Sequence, residues 1–168
     1  MTVNYTTLLA LGQPVTGTEA GTWGDDVNNA VTSYLDIAIA GTLALTSSNF
    51  TAGALTLANT QGTSSATNIA STSAQYAVLK VSGLATNSTI TAPSSSRIYL
   101  VDNADSTYTI TVKASGQTGY TVAKGTKAWV YFNGTDYVQA DSNDISKLTG
   151  TLGTANGGTG LTGFTAAN

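Results

Sequence analysis

The feature that most constrains the fold is a series of short β-rich runs along the middle of the chain. These runs are rich in β-branched and aromatic residues, and turn-forming pairs separate them; they are residues 78–81, 97–101, 107–113 and 127–132. In 107–113 apolar residues alternate with threonine, as in a strand with one buried face. Asn133-Gly134 is a strong hairpin signal. Short strands at this spacing predict a small antiparallel β-sandwich or barrel.

One helix is predicted before the strands. Its apolar face consists of residues that recur at helical spacing: Val27, Ala30, Val31, Tyr34, Leu35 and Ala38. Thr22 is the expected N-cap, with Asp25 three residues later in a variant capping box. Gly41 stands where a C-terminal cap is expected. The sequence therefore predicts a helix from about Trp23 to Ala40.

The composition argues against several classes of function. The chain has no histidine and no cysteine, which removes the commonest general base and the thiolate metal ligands. Its six basic residues are spread singly, unlike the clusters that bind nucleic acid. No apolar run approaches the roughly 20 residues that cross a bilayer. We expect no enzyme activity, no cofactor, no nucleic acid and no membrane partner.

The acidic residues Asp102 and Asp105 form the only grouping that suggested a cation site. Carboxylates near a turn can bind calcium, but the spacing matches no known calcium loop, and turn chemistry is the better explanation. The chain then divides into three parts: an N-terminal arm and helix (1–41), a β domain (42–140) and a Gly/Thr-rich segment (141–168).

Three runs resemble parts of bacteriophage tail-fibre and virion structural proteins. Residues 9–25 (LALGQPVTGTEAGTWGD) are similar to the N-terminal signature of such proteins. Residues 153–160 (GTANGGTG) resemble an element that recurs in long tail fibres, and residues 120–137 (YTVAKGTKAWVYFNGTDY) resemble the β domain between the two. The resemblance covers most of the chain.

This resemblance implies a virion protein of the tail, made in the host cytoplasm, that forms the virion-proximal base of a homotrimeric fibre used in host attachment. Its partners would be its own copies, a tail adaptor, nozzle or baseplate protein, and a distal fibre segment that continues from 141–168. We expect docking and trimerisation to use the apolar residues of the arm and helix, namely Leu8, Leu9, Leu11, Trp23, Val27, Val31, Tyr34 and Leu35.

A glycan-binding or capsid-decorating β module is the alternative function. Trp129 and Tyr131 share one face of a predicted strand, and aromatic rings on a sheet surface can stack on sugars. The same two rings also fit a sheet that packs against protein. A shallow groove over Trp129 and Tyr131 with convergent polar groups would favour the glycan-binding function. A buried Trp129 and a self-associating N-terminus would favour the fibre base.

Overall fold

The computed structural model describes residues 3–18 and 20–140, so the predicted C-terminal segment 141–168 lies outside the described residues. The chain is mainly β with one helical segment of 18 residues. A hairpin of β1 (Val3–Tyr5) and β2 (Gly12–Pro14) precedes that helical segment. The strands that follow are β3 (Thr42–Leu45), β4 (Ala54–Thr56), β5 (Val78–Val81), β6 (Ser88–Thr91), β7 (Ile98–Asn103), β8 (Ile110–Lys113), β9 (Tyr120–Val122), β10 (Lys127–Phe132) and β11 (Tyr137–Gln139).

The helical segment has the predicted limits but not the predicted internal structure. It consists of an α-helical turn α1 (Trp23–Asp25), a π-helical stretch (Asp26–Thr32) and an α-helix α2 (Ser33–Ala40). Thr22 makes no side-chain cap hydrogen bond, so the predicted capping box is wrong. Gly41 does end the helix, but its φ of −75° is not left-handed. A glycine fits there because an added Cβ would lie 2.6 Å from the Cα of Ile37.

The β domain contains two sheets, and from β3 to β8 the chain passes alternately from one to the other. Strands β3, β5 and β7 pair in parallel in a five-stranded sheet whose order is β11-β10-β7-β5-β3. Strands β4, β6 and β8 pair in parallel in a four-stranded sheet of order β4-β6-β8-β9. Antiparallel strand pairing in the β domain is confined to β8–β9, β7–β10 and β10–β11. The predicted antiparallel sandwich is therefore corrected to a mixed two-sheet domain, because the strands from β3 to β8 cross between the sheets instead of folding back as hairpins.

One hydrophobic core fills the space between the two sheets. The strand register aligns apolar residues into two buried ladders, Leu43, Leu79, Val101 and Ala128 from one sheet and Leu55, Ile90 and Val112 from the other. Alternation along each strand places these side chains inward and their neighbours outward. The ladders pack in the same core cluster, which joins the two sheets into one unit.

Two predicted strand limits are wrong, and side-chain hydrogen bonds explain one of them. The strand expected at 107–113 begins at Ile110, because the amides of Thr107 and Tyr108 donate to the carboxylate of Asp105. The turn expected at Asp102-Asn103 lies instead within β7. The predicted Asn133-Gly134 hairpin is confirmed between β10 and β11, with Gly134 at a φ of +102°.

The helical segment and the N-terminal hairpin pack on a long loop of the β domain. Ala30 is fully buried, and a Cβ added at Gly62 would lie 2.6 Å from its Cα. Gly12 of the hairpin approaches the same alanine, whose Cβ would lie 2.7 Å from an added Cβ. Three small residues thus allow the hairpin, helix and loop to meet closely. The 41/42 boundary predicted from sequence coincides with the end of the helix, but the parts on either side of it are in contact.

Candidate interaction surface

The outer face of the five-stranded sheet carries a continuous apolar surface. The register places Tyr131 of β10 between Ile98 of β7 and Val138 of β11. In the next row Leu100 of β7 lies between Trp129 of β10 and Val78 of β5. We call these six residues the outer apolar face. Ile98 is 63% exposed and Trp129 is 48% exposed, so the largest members of the face are open to solvent.

A groove at the helix end extends this surface. It has a volume of about 370 Å³, and its lining includes Leu35, Ile39, Tyr76, Arg97 and Ile98. Ile39 is 78% exposed although it belongs to α2. Because Ile98 belongs both to the groove and to the outer apolar face, the two are continuous, and Arg97 adds a polar group at the groove.

A row of charged residues borders the outer apolar face on one side. In this row Asp102 of β7 lies between Lys127 of β10 and Lys80 of β5. Lys127 forms an ion pair with Asp102 at 3.6 Å between Nζ and Oδ2. An apolar centre with a charged rim is the usual arrangement of a protein–protein contact surface.

The predicted docking residues lie in different environments. Leu8 in the hairpin loop and Trp23 at the helix start are each more than half exposed. Leu35 is exposed on the groove side of the helix. Leu9, Leu11, Val27 and Val31 are half-buried.

Tyr34 is corrected as a docking residue, because it is fully buried within the chain. Its hydroxyl lies 3.1 Å from both the hydroxyl of Thr60 and the carbonyl oxygen of Asn68. The helical periodicity identified the apolar face correctly. At Ala30 and Tyr34 that face is covered by the loop of the β domain, whereas Leu35 at its edge stays exposed.

Arg97 holds the N-terminal hairpin loop on the β domain, a role that no sequence pattern indicates. Its guanidinium donates to the carbonyl oxygen of Leu8 at 2.9 Å and to the side chain of Asn59 at 2.6 Å, and also to the carbonyl oxygen of Ala74. Gln75 donates to the carbonyl oxygen of Leu9 at 2.9 Å. The arm is therefore fixed at its loop by side chains that lie far away in the sequence.

Asp102 and Asp105, the candidate cation ligands, have hydrogen-bond and ion-pair partners within the fold instead. The carboxylate of Asp105 accepts backbone N–H groups of Tyr108, Thr107 and Leu84 at 2.7–2.8 Å, which holds the pKa of this carboxyl below its ordinary value. Asp102 faces Lys127. Within residues 3–18 and 20–140 no group of three or more histidine, cysteine, aspartate and glutamate residues is arranged to hold a metal ion.

Asp136 links the last hairpin of one sheet to a turn of the other sheet. Its carboxylate accepts N–H groups of Ala114 at 2.9 Å, Gly119 at 2.6 Å and Tyr137 at 2.7 Å. Burial acts to raise the pKa of this carboxyl, but the hydrogen bonds outweigh it and the pKa lies below its usual range. Gly119 is required at this turn, since its φ is +79° and an added Cβ would lie 2.3 Å from the carbonyl oxygen of Val112.

Two buried tyrosines of the core donate hydrogen bonds to backbone carbonyl groups. The hydroxyl of Tyr99 donates to the carbonyl oxygen of Ala74, and that of Tyr137 donates to the carbonyl oxygen of Pro93, each at 2.8 Å. Burial raises the pKa of both phenols, although nearby Arg97 partly opposes this. Both hydroxyls therefore stay protonated and serve as hydrogen-bond donors within the fold.

Comparisons with known proteins leave the resemblance of the three sequence runs without further support. A scan against protein-family models, a search of curated proteins and a search of solved structures find no match to this chain. Within the part of the chain that the structure describes, no helix is long and apolar enough to cross a membrane.

Proposed function

We propose that this protein is the structural, virion-proximal base of a trimeric bacteriophage tail fibre, which attaches the fibre to the tail for host adsorption. The observation that carries the proposal is the run at 9–25, which resembles the N-terminal signature of tail-fibre proteins. In the structure this run contains the second hairpin strand and the start of the helical segment. A second run, at 153–160, resembles a tail-fibre element.

Exposed apolar residues in the arm support a docking role for this region. Leu8 and Trp23 are open to solvent, and hollows lined largely by apolar residues lie at 6–11 and around Trp23. Large exposed side chains next to shallow hollows are suited to bind a partner protein. Because Arg97, Asn59 and Gln75 fix the backbone of the hairpin loop, Leu8 is held ready for contact with little ordering on binding. In this proposal Leu8 and Trp23 contact the tail adaptor, nozzle or baseplate protein.

Glycan binding remains the second candidate because Trp129 is half exposed. A sugar site combines an aromatic ring with several polar groups that converge on the hydroxyls of the sugar. The strand neighbours of Trp129 and Tyr131, however, are Leu100, Ile98 and Val138. Apolar neighbours of this kind favour contact with protein.

The proposed function is tested by incorporation into phage particles. A Leu8→Glu, Trp23→Glu variant places two charges on the arm at exposed positions, so the fold should be kept while docking is lost. Mass spectrometry of purified particles should find the parent chain. The variant should be present at less than about a tenth of the parental amount, which corresponds to a loss of ~1.4 kcal/mol or more in the free energy of docking. The matched control is Thr56→Glu, an exposed site on the four-stranded sheet.

Circular dichroism must show that the variant is folded before its absence from particles is interpreted. If the parent chain is missing from purified particles, the proposed function is wrong. If the double variant is incorporated like the parent, the arm is not the docking segment.

A further inference from the structure

We propose that the outer apolar face, together with Leu35 and Ile39 of the helix, is the surface through which copies of this chain associate. The proposal rests on the proposed function, because it identifies the contact that would join the chains of the fibre base. The occupant of the surface is a second copy of the same chain. Three arguments support this choice: the exposed area, the uncharged face of the sheet and the continuity between sheet and helix.

The exposed area matches one side of a specific protein contact. A large side chain contributes roughly 150–250 Å² when it is buried. Scaled by their exposed fractions, five side chains leave roughly 500 Å² of surface open to solvent, namely Leu35, Ile39, Ile98, Trp129 and Tyr131. One partner in a specific interface buries about 800 Å², of which somewhat more than half is apolar. The surface therefore has the apolar area that a stable contact needs.

The charge distribution favours a second copy over a different protein. Around a threefold axis the same face of each chain turns toward its copies and brings like charges together, so association through this face is favourable where its centre carries no charge. The six residues of the outer apolar face are all uncharged, and only 9% of the whole chain is charged. Interfaces between identical chains are also more apolar than contacts with exchangeable partners.

The charged row beside the face has the character of an interface rim. The ion pair between Lys127 and Asp102 cancels one charge of each sign, so it does not oppose the approach of another copy. Lys80 lies beyond Asp102, one strand further from Trp129. A rim of this kind stays hydrated while the aromatic centre is desolvated, which is the arrangement of contacts whose energy lies in a few central side chains.

The experiment measures the mass and the tryptophan environment of the full chain. Light scattering of the parent at micromolar concentration should give about three times the 17.0 kDa of one chain. Ile98→Glu and Trp129→Glu each place a charge at the centre of the face and should shift the mass to that of a single chain. The control Thr56→Glu adds the same charge to the outside of the other sheet and should keep the parental mass.

A second measurement does not depend on these substitutions. In a Trp23→Phe background Trp129 is the remaining tryptophan. Its fluorescence should shift to shorter wavelength as the concentration rises through the association range, because the half-exposed ring becomes buried. The same chain with Ile98→Glu should show no shift.

The outcomes separate this inference from the proposed function. A parent trimer that persists in both glutamate variants overturns the inference and leaves the tail-fibre function in place. A parent that is monomeric at micromolar concentration, with unchanged Trp129 emission, overturns the inference as well; a shift on addition of an oligosaccharide would then assign the face to glycan. Monomeric variants of a trimeric parent support the inference even if the chain is missing from phage particles.

Discussion

The two sheets share one interior but have very different outer faces. Outside the four-stranded sheet the register aligns three threonines and one alanine in one row, namely Thr89, Thr111, Thr121 and Ala54. The hydroxyls of Thr111 and Thr121 lie 2.8 Å apart and hydrogen-bond across the strands. The corresponding row of the five-stranded sheet contains Trp129, Leu100 and Val78.

This difference shows how one fold can separate stability from recognition. The inner ladders of both sheets are buried in a common core, so both sheets contribute to the free energy of folding. Threonine hydroxyls on the outside of one sheet are satisfied by water or by each other, and that face is suited to solvent. The exposed tryptophan and isoleucine of the other face are not needed to form the core, which is consistent with their use in contact with a partner.

The largest expected effect on stability comes from truncating a core side chain, and its size should be similar in both sheets. Leu79→Ala and Ile90→Ala each remove a fully buried side chain, one from each inner ladder. Each should lower the free energy of unfolding by about 2–5 kcal/mol, through lost burial and the cavity left behind. Denaturant unfolding at one fixed protein concentration measures this free energy. A cost under about 1 kcal/mol for only one of them would mean that the interior is not shared.

Acid should lower the stability of the fold by a smaller amount, because Asp136 joins the two sheets through its ionised carboxylate. A carboxyl whose pKa is lowered in the folded state stabilises the protein above its unfolded-state pKa, and this stabilisation is lost as pH falls through the lower, folded-state pKa. The melting temperature should therefore decline below about pH 4. Asp136→Asn should melt a few degrees lower than the parent at pH 7 and decline less steeply in acid.

Thermal melts of both proteins from pH 7 to pH 2 test this expectation, and Asp25→Asn serves as the control on an exposed carboxyl. Equal slopes in acid for the parent and Asp136→Asn would show that these three hydrogen bonds do not link the sheets energetically.

The smallest effect on stability should come from substitutions on the outer face of the four-stranded sheet. Thr89→Val and Thr91→Val add apolar area at half-buried outward positions of β6. Their free energy of unfolding should stay within about 0.5 kcal/mol of the parent, since neither side chain reaches the core. Binding of a hydrophobic dye should nevertheless increase, because the face becomes more like its counterpart. A large gain in stability without extra dye binding would mean that this face is already covered.

Sequence patterns predicted the elements that depend on local chemistry. The helix limits, the Asn133-Gly134 hairpin and the β-rich middle of the chain are confirmed. These features arise from periodicity and turn preference, which act over a few residues. The sequence identified three residues of the candidate surface, Leu35 as a docking residue and Trp129 and Tyr131 as possible glycan-stacking rings, but not Ile39 and Ile98. Their exposure depends on how the helix end meets the sheet.

The sequence by itself determined which residues alternate along each strand, and therefore which of them share a face. Only the tertiary structure decided that the strands from β3 to β8 alternate between the two sheets, since the alternation of side chains in one strand carries no information about its neighbour. The tertiary structure also buried Tyr34 under the loop at 58–75 and brought Arg97 to the carbonyl oxygen of Leu8, 89 residues away. Contacts at such separation depend on packing of the whole chain, and no local pattern encodes them.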